Sequence, residues 1–137
     1  MKAIGIDYGT KYVGISVSDP EQKVAFPRDK VELSKAITYI QKLYEEEDFD
    51  TVILGKPKSM KGTDTHMTRE VEAFKIKLES TMGVKVIDQD ERLTSKSVDK
   101  SLAFLGVNTK QRRGLKDALE ATQILQSYLD TKNNSLK

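Results

Sequence analysis

Two runs of alternating apolar residues, joined by a short polar turn, constrain the fold of this chain more than any other feature. In residues 4–7 isoleucines alternate with Gly5 and Asp7, and in residues 13–18 apolar residues alternate with glycine and serine. A period of two predicts strands whose successive side chains point to opposite faces of a sheet. The turn at residues 8–11 then predicts an antiparallel hairpin.

Asp7 stands out in the first strand, because a carboxylate at the end of an apolar strand is costly to bury without a partner or a cation. An aspartate beside a glycine turn also caps such turns through its own backbone, and Asp7 precedes the turn that contains Gly9. The strand alone therefore supports a turn cap and a metal ligand equally.

The rest of the chain alternates strand and helix patterns. A third strand is predicted at residues 24–27, at the edge of the sheet because Pro27 lacks a backbone donor. From there on, helical stripes with apolar spacings of three and four alternate with short apolar strands. The predicted helices cover residues 33–48, 67–82, 95–105 and 115–129, and the predicted strands between them cover residues 51–55 and 84–87.

This order, β-β-β-α-β-α-β-α-α, predicts an α/β fold with a mixed five-stranded sheet and helices on both faces. At 137 residues the chain fits a single domain, which we place at residues 1–130, and we expect the polar tail at residues 131–137 to be disordered. Ligands of such sheets collect at the carboxyl ends of the parallel strands, where Asp7, the loop from Lys56 and the turn at Glu91 all fall.

Composition excludes several classes of function. The chain has no cysteine, which rules out disulfides, thiolate metal sites and cysteine nucleophiles. Its net charge of +2 permits a nucleic acid partner without arguing for one. No apolar run approaches the length of a membrane span, and a strand begins almost at the N-terminus, so we expect a cytoplasmic protein that does not engage membranes.

Three acids that are far apart in sequence are predicted to meet at one sheet edge: Asp7, Glu91 and Asp117. Mg²⁺ and Mn²⁺ prefer oxygen ligands, and two such ions can activate a water and stabilise the leaving oxygen of a phosphodiester. Asp117 taken alone is an acid that the helix dipole favours in a first turn. Ala121, one turn later, is small enough to leave room beside its carboxylate.

Basic residues are predicted to surround these acids. Carboxylates that hold metal, ringed by cations that hold phosphate, suit a nucleic-acid backbone as substrate. The candidates for phosphate contact are Lys11, Lys56, Lys58, Lys61, Arg92, Lys110, Arg112, Arg113 and Lys116. No aromatic stacking motif is visible, so the sequence does not distinguish RNA from DNA.

Four groups of residues, in register over nearly the whole chain, resemble the motifs of the YqgF/RuvX family. They are DYGTK and VGISVSD at 7–11 and 13–19, GKP and MKGT at 55–57 and 60–63, DERLT at 90–94, and Asp117 with Ala121. The family comprises Holliday junction resolvases and nucleases that mature the ends of small-subunit ribosomal RNA precursors. The resemblance implies a ribonuclease H-like fold and metal-dependent hydrolysis of phosphodiester bonds.

By position in that resemblance, Asp7, Glu91 and Asp117 form a catalytic triad that binds two Mg²⁺ or Mn²⁺ ions with substrate. Asp88 or Asp90 are alternatives to Glu91. Three residues after Asp117, Glu120 is either an additional metal ligand, as the paired acids of the related RuvC resolvases suggest, or a solvent-facing glutamate. The chain departs from the family at Tyr12, where an arginine is usual, and so loses one phosphate contact.

The sequence thus predicts an endonuclease that processes the ends of precursor 16S rRNA or resolves Holliday junctions, as a monomer or a homodimer. One alternative is a nucleic-acid-binding factor without turnover, acting in ribosome maturation or transcription. The turn at residues 7–11 also resembles the phosphate hairpin of sugar kinases, but such ATPases need a second lobe for which this chain has no room.

Overall fold

The computed structural model describes residues 1–56, 66–90 and 116–135, and these residues form five strands and three helices. The strands are β1 (Lys2–Asp7), β2 (Tyr12–Ser18), β3 (Ala25–Glu32), β4 (Phe49–Lys56) and β5 (Val86–Asp90). The helices are α1 (Leu33–Glu46), α2 (His66–Met82) and α3 (Lys116–Ser135), the predicted closing helix. None of the helices in these ranges has the length and apolar character needed to span a membrane. The helix predicted at residues 95–105 lies outside the described residues.

The strands form one mixed sheet in the order β3-β2-β1-β4-β5. Strand β2 pairs antiparallel with both β1 and β3, whereas β4 pairs parallel with β1 and with β5. The predicted mixed sheet is therefore confirmed, and β3 lies at its edge, as Pro27 indicated. β1 is the central strand, and Asp7 is its last residue. Asp7 therefore lies in the middle of the side of the sheet where the parallel strands end.

Side chains alternate between the two faces of each strand, so the two faces of the sheet pack against different helices. On one face, Ile4 and Ile6 are fully buried in a core that β1 shares with α1 and α2. The opposite face of β1 carries the small residues Ala3 and Gly5, and the backbone of α3 at Ala121 lies directly above Gly5. Small residues on this face let α3 approach the sheet closely.

Strand β3 continues to Glu32, well beyond the predicted end at Pro27. Its second half is rich in charge and shows no apolar run, yet an edge strand tolerates charged side chains because one of its sides faces solvent. This extension brings charged residues close to Asp7. Lys30 pairs with Gly14 of β2, and Glu32 pairs with Tyr12.

Helix α3 runs to Ser135, six residues beyond the predicted end of the closing helix at Leu129. Lys132 Nζ donates a hydrogen bond to Gln22 Oε1 at 2.6 Å, and Asn133 Nδ2 donates one to the Gln22 carbonyl at 3.2 Å. Gln22 is itself buried in the loop between β2 and β3. These long-range contacts stabilise a helix end whose own sequence is polar.

Candidate active site

Five residues, one from each strand, form a row across the edge of the sheet where the parallel strands end. In spatial order the row is Lys30, Gly14, Asp7, Gly55 and Gln89. Directly paired residues of neighbouring strands project to the same face, and here it is the face that α3 covers. Asp7 is half-buried at the centre of the row, with a glycine on either side.

Gly14 brings α3 against the strand that neighbours Asp7. A β-carbon on Gly14 would collide with the carbonyl group of Asp117 and would lie 3.1 Å from the backbone nitrogen of Ala118. Only glycine permits so close an approach of the helix backbone. Because Gly14 is the direct partner of Asp7, the structure brings Asp7 and the first turn of α3 together.

Two buried polar side chains also hold α3 close to the sheet. Ser16 Oγ donates a hydrogen bond to the carbonyl of Ala121 at 2.8 Å, and Gln126 Oε1 accepts one from the backbone N–H of Ala25 at 2.8 Å. Both bonds are shielded from competing water, which strengthens them. Ala121 is fully buried against the sheet, where its small size permits close packing.

The turn after β1 is anchored on the other face of the sheet. The ring of Tyr8 packs edge-on against Phe74 of α2, with centroids 5.2 Å apart, and its hydroxyl donates a hydrogen bond to the Glu70 carboxylate. Burial and the nearby Glu70 charge raise the pKa of Tyr8. Gly9 is required in the turn, because a β-carbon there would collide with the Tyr12 carbonyl.

The acids of β5 that could replace Glu91 are placed differently from Asp7. Asp88 accepts a hydrogen bond from Lys75 Nζ at 3.1 Å and so faces α2, on the side of the sheet opposite to α3. Burial alone would lower the pKa of Lys75, but its pairing with Asp88, together with the nearby charges of Glu72 and Glu79, outweighs burial and raises that pKa. Asp88 therefore ties β5 to α2. Asp90 is the last residue of β5, in register with Lys56.

Glu91 lies outside the described residues, so Asp7 and Asp117 are the members of the predicted triad that can be located. Within residues 1–56, 66–90 and 116–135, no group of three or more acids or histidines is arranged to hold a metal ion. The position before Glu91, at the end of β5, lies at the same sheet edge as Asp7. Glu120 is half-buried and follows Asp117 by about one turn of α3.

Three of the predicted basic residues occupy this edge of the sheet. Lys11 is exposed in the turn after β1, Lys56 ends β4, and Lys116 begins α3. The other candidates lie outside the described residues: Lys58, Lys61, Arg92, Lys110, Arg112 and Arg113. Sequence reasoning missed Lys30, because the second half of β3 was not recognised; the alternation of its residues around Val31 was the available signal.

The carboxylates of this edge suit a hard divalent cation. Asp7 and Asp117 offer oxygen ligands, which Mg²⁺ and Mn²⁺ prefer. A divalent cation held by both carboxylates would offset the repulsion between their charges. On the other side of Asp7, Gly55 places no side chain between Asp7 and Gln89 in the row.

Comparison with known proteins gives a family match over nearly the whole chain. A family model described as "RuvX: Holliday junction resolvase" matches residues 1–131. Proteins named "Putative pre-16S rRNA nuclease" are 32% identical over 134 residues in Ruminiclostridium cellulolyticum and 34% identical over 141 residues in Agathobacter rectalis. These matches cover 95% and 98% of this chain, and 94% and 99% of the two relatives.

Solved structures confirm the ribonuclease H-like α/β fold that the sequence predicted. A Thermus thermophilus RuvC structure matches with a TM-score of 0.64 at 14% identity, covering 98% of this chain and 97% of RuvC. The fowlpox virus resolvase, in complex with substrate Holliday junction DNA, matches with a TM-score of 0.61 at 14% identity. That match covers 96% of this chain and 98% of the viral protein. At these identities the similarity is one of fold.

Proposed function

This chain belongs to the RuvX family, and from that membership we propose that it is a metal-dependent nuclease whose active site is built around Asp7 and Asp117. Family membership makes the chain a hydrolase that acts on nucleic acid. The proposal for the site is supported by the contact between Gly14, the direct strand partner of Asp7, and the backbone of Asp117.

We propose precursor 16S rRNA as the substrate and the trimming of its ends as the reaction, as the names of the relatives suggest. The second candidate is resolution of Holliday junctions, which the family description supports. A symmetric junction needs two cuts and therefore a homodimer, whereas a monomer suffices to cut an rRNA end. Both activities would take place in the cytoplasm.

Each proposed residue has a defined task in hydrolysis. Asp7 would hold the cation from β1 and Asp117 would hold it from α3, and Glu91, which follows the end of β5, is proposed as a third ligand. Glu120 is proposed as an additional ligand. One or two bound Mg²⁺ or Mn²⁺ ions would supply Lewis acidity and lower the pKa of the attacking water. The products would carry a 5′-phosphate and a 3′-hydroxyl.

The basic residues would bind phosphates on either side of the bond that is cut. Lys11, Lys56 and Lys116 belong to three different elements: the turn between β1 and β2, the end of β4 and the start of α3. The remaining members of the proposed phosphate-binding set are Lys58, Lys61, Arg92, Lys110, Arg112 and Arg113. Contacts of this kind position a nucleic acid without reading its sequence.

Cleavage assays with defined metals test this proposal. Purified protein is incubated with end-labelled precursor 16S rRNA fragments and with a four-way DNA junction, each in Mg²⁺, Mn²⁺ or EDTA. We expect the rRNA precursor to be cut near the mature end in either metal, and we expect EDTA to abolish cutting until excess metal is restored. The linear duplex made from two junction arms is the matched control.

Two results would contradict the proposal in different ways. Cutting that persists undiminished in EDTA would exclude metal-dependent hydrolysis. Tight binding of either substrate without cutting in any metal would instead identify a nucleic-acid-binding factor of ribosome maturation or transcription.

A further inference from the structure

Tyr12 is a large aromatic residue exposed beside the proposed active site. It begins β2, and 42% of its surface is accessible, a high value for an aromatic side chain. Gly14, two residues further along β2, is the direct partner of Asp7. Residues two apart on a strand share a face, so Tyr12 projects from the same face as Asp7, just beyond the end of β1.

Lys30 is held over the Tyr12 ring. Its Nζ lies 4.4 Å from the ring centroid, within the range of a cation–π contact. The contact is diagonal across the β2–β3 pair, because Lys30 is in register with Gly14 and Glu32 is in register with Tyr12. Lys30 is thus two strands from Asp7, at a backbone distance of about 10 Å.

The Tyr12 ring also borders an open cleft between the turn after β1 and the start of α1. The cleft has a volume of about 500 Å³ and is lined by Thr10, Lys11 and Glu32 as well as Tyr12. Its two walls are joined by a backbone hydrogen bond, in which the N–H of Leu33 donates to the Lys11 carbonyl at 2.9 Å. The cleft therefore combines an aromatic surface, ammonium groups and hydrogen-bonding oxygens at the sheet edge that carries Asp7.

We propose that this cleft binds an unpaired nucleotide of the substrate, with its base stacked on Tyr12 and the adjoining phosphates paired with Lys30 and Lys11. Aromatic rings stack on every base, and lysines bind the backbone, so such a site is tolerant of sequence. A base inside a continuous duplex cannot reach Tyr12 in this way. The inference rests on the proposed function for the nature of the ligand, and it specifies a substrate that is single-stranded or splayed open near the scissile phosphate.

Glu32 is the acid of the cleft and opposes phosphate binding on its side. Lys35 Nζ lies 3.9 Å from its carboxylate and reduces that repulsion. Carboxylates accept hydrogen bonds from the amino groups of bases, so Glu32 is suited to a base edge rather than to the backbone. The polarity of the cleft therefore orients the nucleotide, with its base toward Glu32 and its phosphates toward Lys11 and Lys30.

Equilibrium binding in EDTA tests the inference separately from hydrolysis. The probes are a short fluorescein-labelled single strand and the same strand annealed into a full duplex, titrated with wild type, Tyr12→Ala, Tyr12→Phe and Lys30→Gln. We expect Tyr12→Ala to weaken single-strand binding about tenfold and duplex binding far less, and Tyr12→Phe to retain wild-type affinity. Lys30→Gln should reduce the slope of log K against log salt by about 0.7.

Lys42→Gln is the matched control for charge, because Lys42 is an exposed lysine of α1 whose Nζ lies 3.9 Å from Glu46. Its salt slope should equal that of wild type.

Unchanged single-strand binding by Tyr12→Ala, or equal losses for single strand and duplex, would overturn the inference. A protein that shows the expected preferences but cuts no substrate refutes the proposed function alone, and a protein that cuts as proposed while Tyr12→Ala binds normally refutes this inference alone.

Discussion

Replacement of Asp7 by asparagine is expected to lower the rate of hydrolysis by roughly 10²–10³-fold, the loss typical of removing one strong electrostatic contributor from an active site. Asparagine keeps the shape of the side chain but removes its charge, so Asp117 would have to hold the cation without its neighbour. Because asparagine keeps the size of the side chain and one of its hydrogen-bonding oxygens, the free energy of unfolding should stay within about 1 kcal/mol of wild type. Single-turnover cleavage and thermal unfolding measure the two effects.

Asp48→Asn is the matched control for this substitution. Asp48 is exposed and precedes β4, at the end of the sheet opposite to Asp7. The same change of charge there should leave the cleavage rate unaltered. Wild-type activity in Asp7→Asn, or a loss of activity that only accompanies unfolding, would show that Asp7 is a turn cap rather than a metal ligand.

Replacement of Gly14 by alanine is expected to destabilise the protein by about 3 kcal/mol and to reduce hydrolysis about a hundredfold at temperatures where the variant remains folded. The new β-carbon would collide with the backbone of Asp117, and no side-chain rotation can relieve such a clash. The first turn of α3 must move, which carries the Asp117 carboxylate away from Asp7. Denaturant unfolding and cleavage rates measured on the same preparation separate the two losses.

Gly5→Ala provides the comparison, because it crowds the same helix at a different place. A β-carbon on Gly5 would collide with Ser16 Oγ, and it would lie 2.6 Å from the Leu125 Cβ and 3.0 Å from the Ala121 carbonyl, in the middle of α3. We expect a similar loss of stability with a much smaller loss of activity. If the two variants lose activity equally for equal losses of stability, the contact between Gly14 and Asp117 has only a structural role.

The first hairpin could be predicted from the sequence because its pattern is local. The alternation around Ile4 and Ile6 separated the buried face of β1 from the face of Asp7, and the structure places Ile4 and Ile6 in one core and Asp7 on the opposite face. The row of residues that surrounds Asp7 was not predictable in this way, because it depends on which residues of five strands pair with one another. Lys30 belongs to that row because β3 extends to Glu32, which its charged second half does not indicate.

The position of Asp117 illustrates a second limit of local patterns. By itself Asp117 is an acid in the first turn of a helix, a placement that the helix dipole already explains. Its approach to the strand beside Asp7 depends on Gly14, more than a hundred residues away in sequence. The resemblance to a family supplied this pairing where periodicity could not. Similarly, the end of α3 is helical because it contacts Gln22, a partner that composition does not reveal.

The central claim is that Asp7 and Asp117 bind one divalent cation together, and Mn²⁺ titration of the ¹⁵N-labelled protein tests it most directly. Paramagnetic Mn²⁺ broadens the amide resonances nearest to it. We predict that the amides of Asp7, Gly14, Gly55 and Ala118 broaden first, and that this broadening disappears in Asp7→Asn. The acidic run at residues 45–48, at the opposite end of the sheet, is an internal competitor for the cation. Broadening that begins there and leaves the amides of Asp7 and Ala118 sharp would contradict the claim.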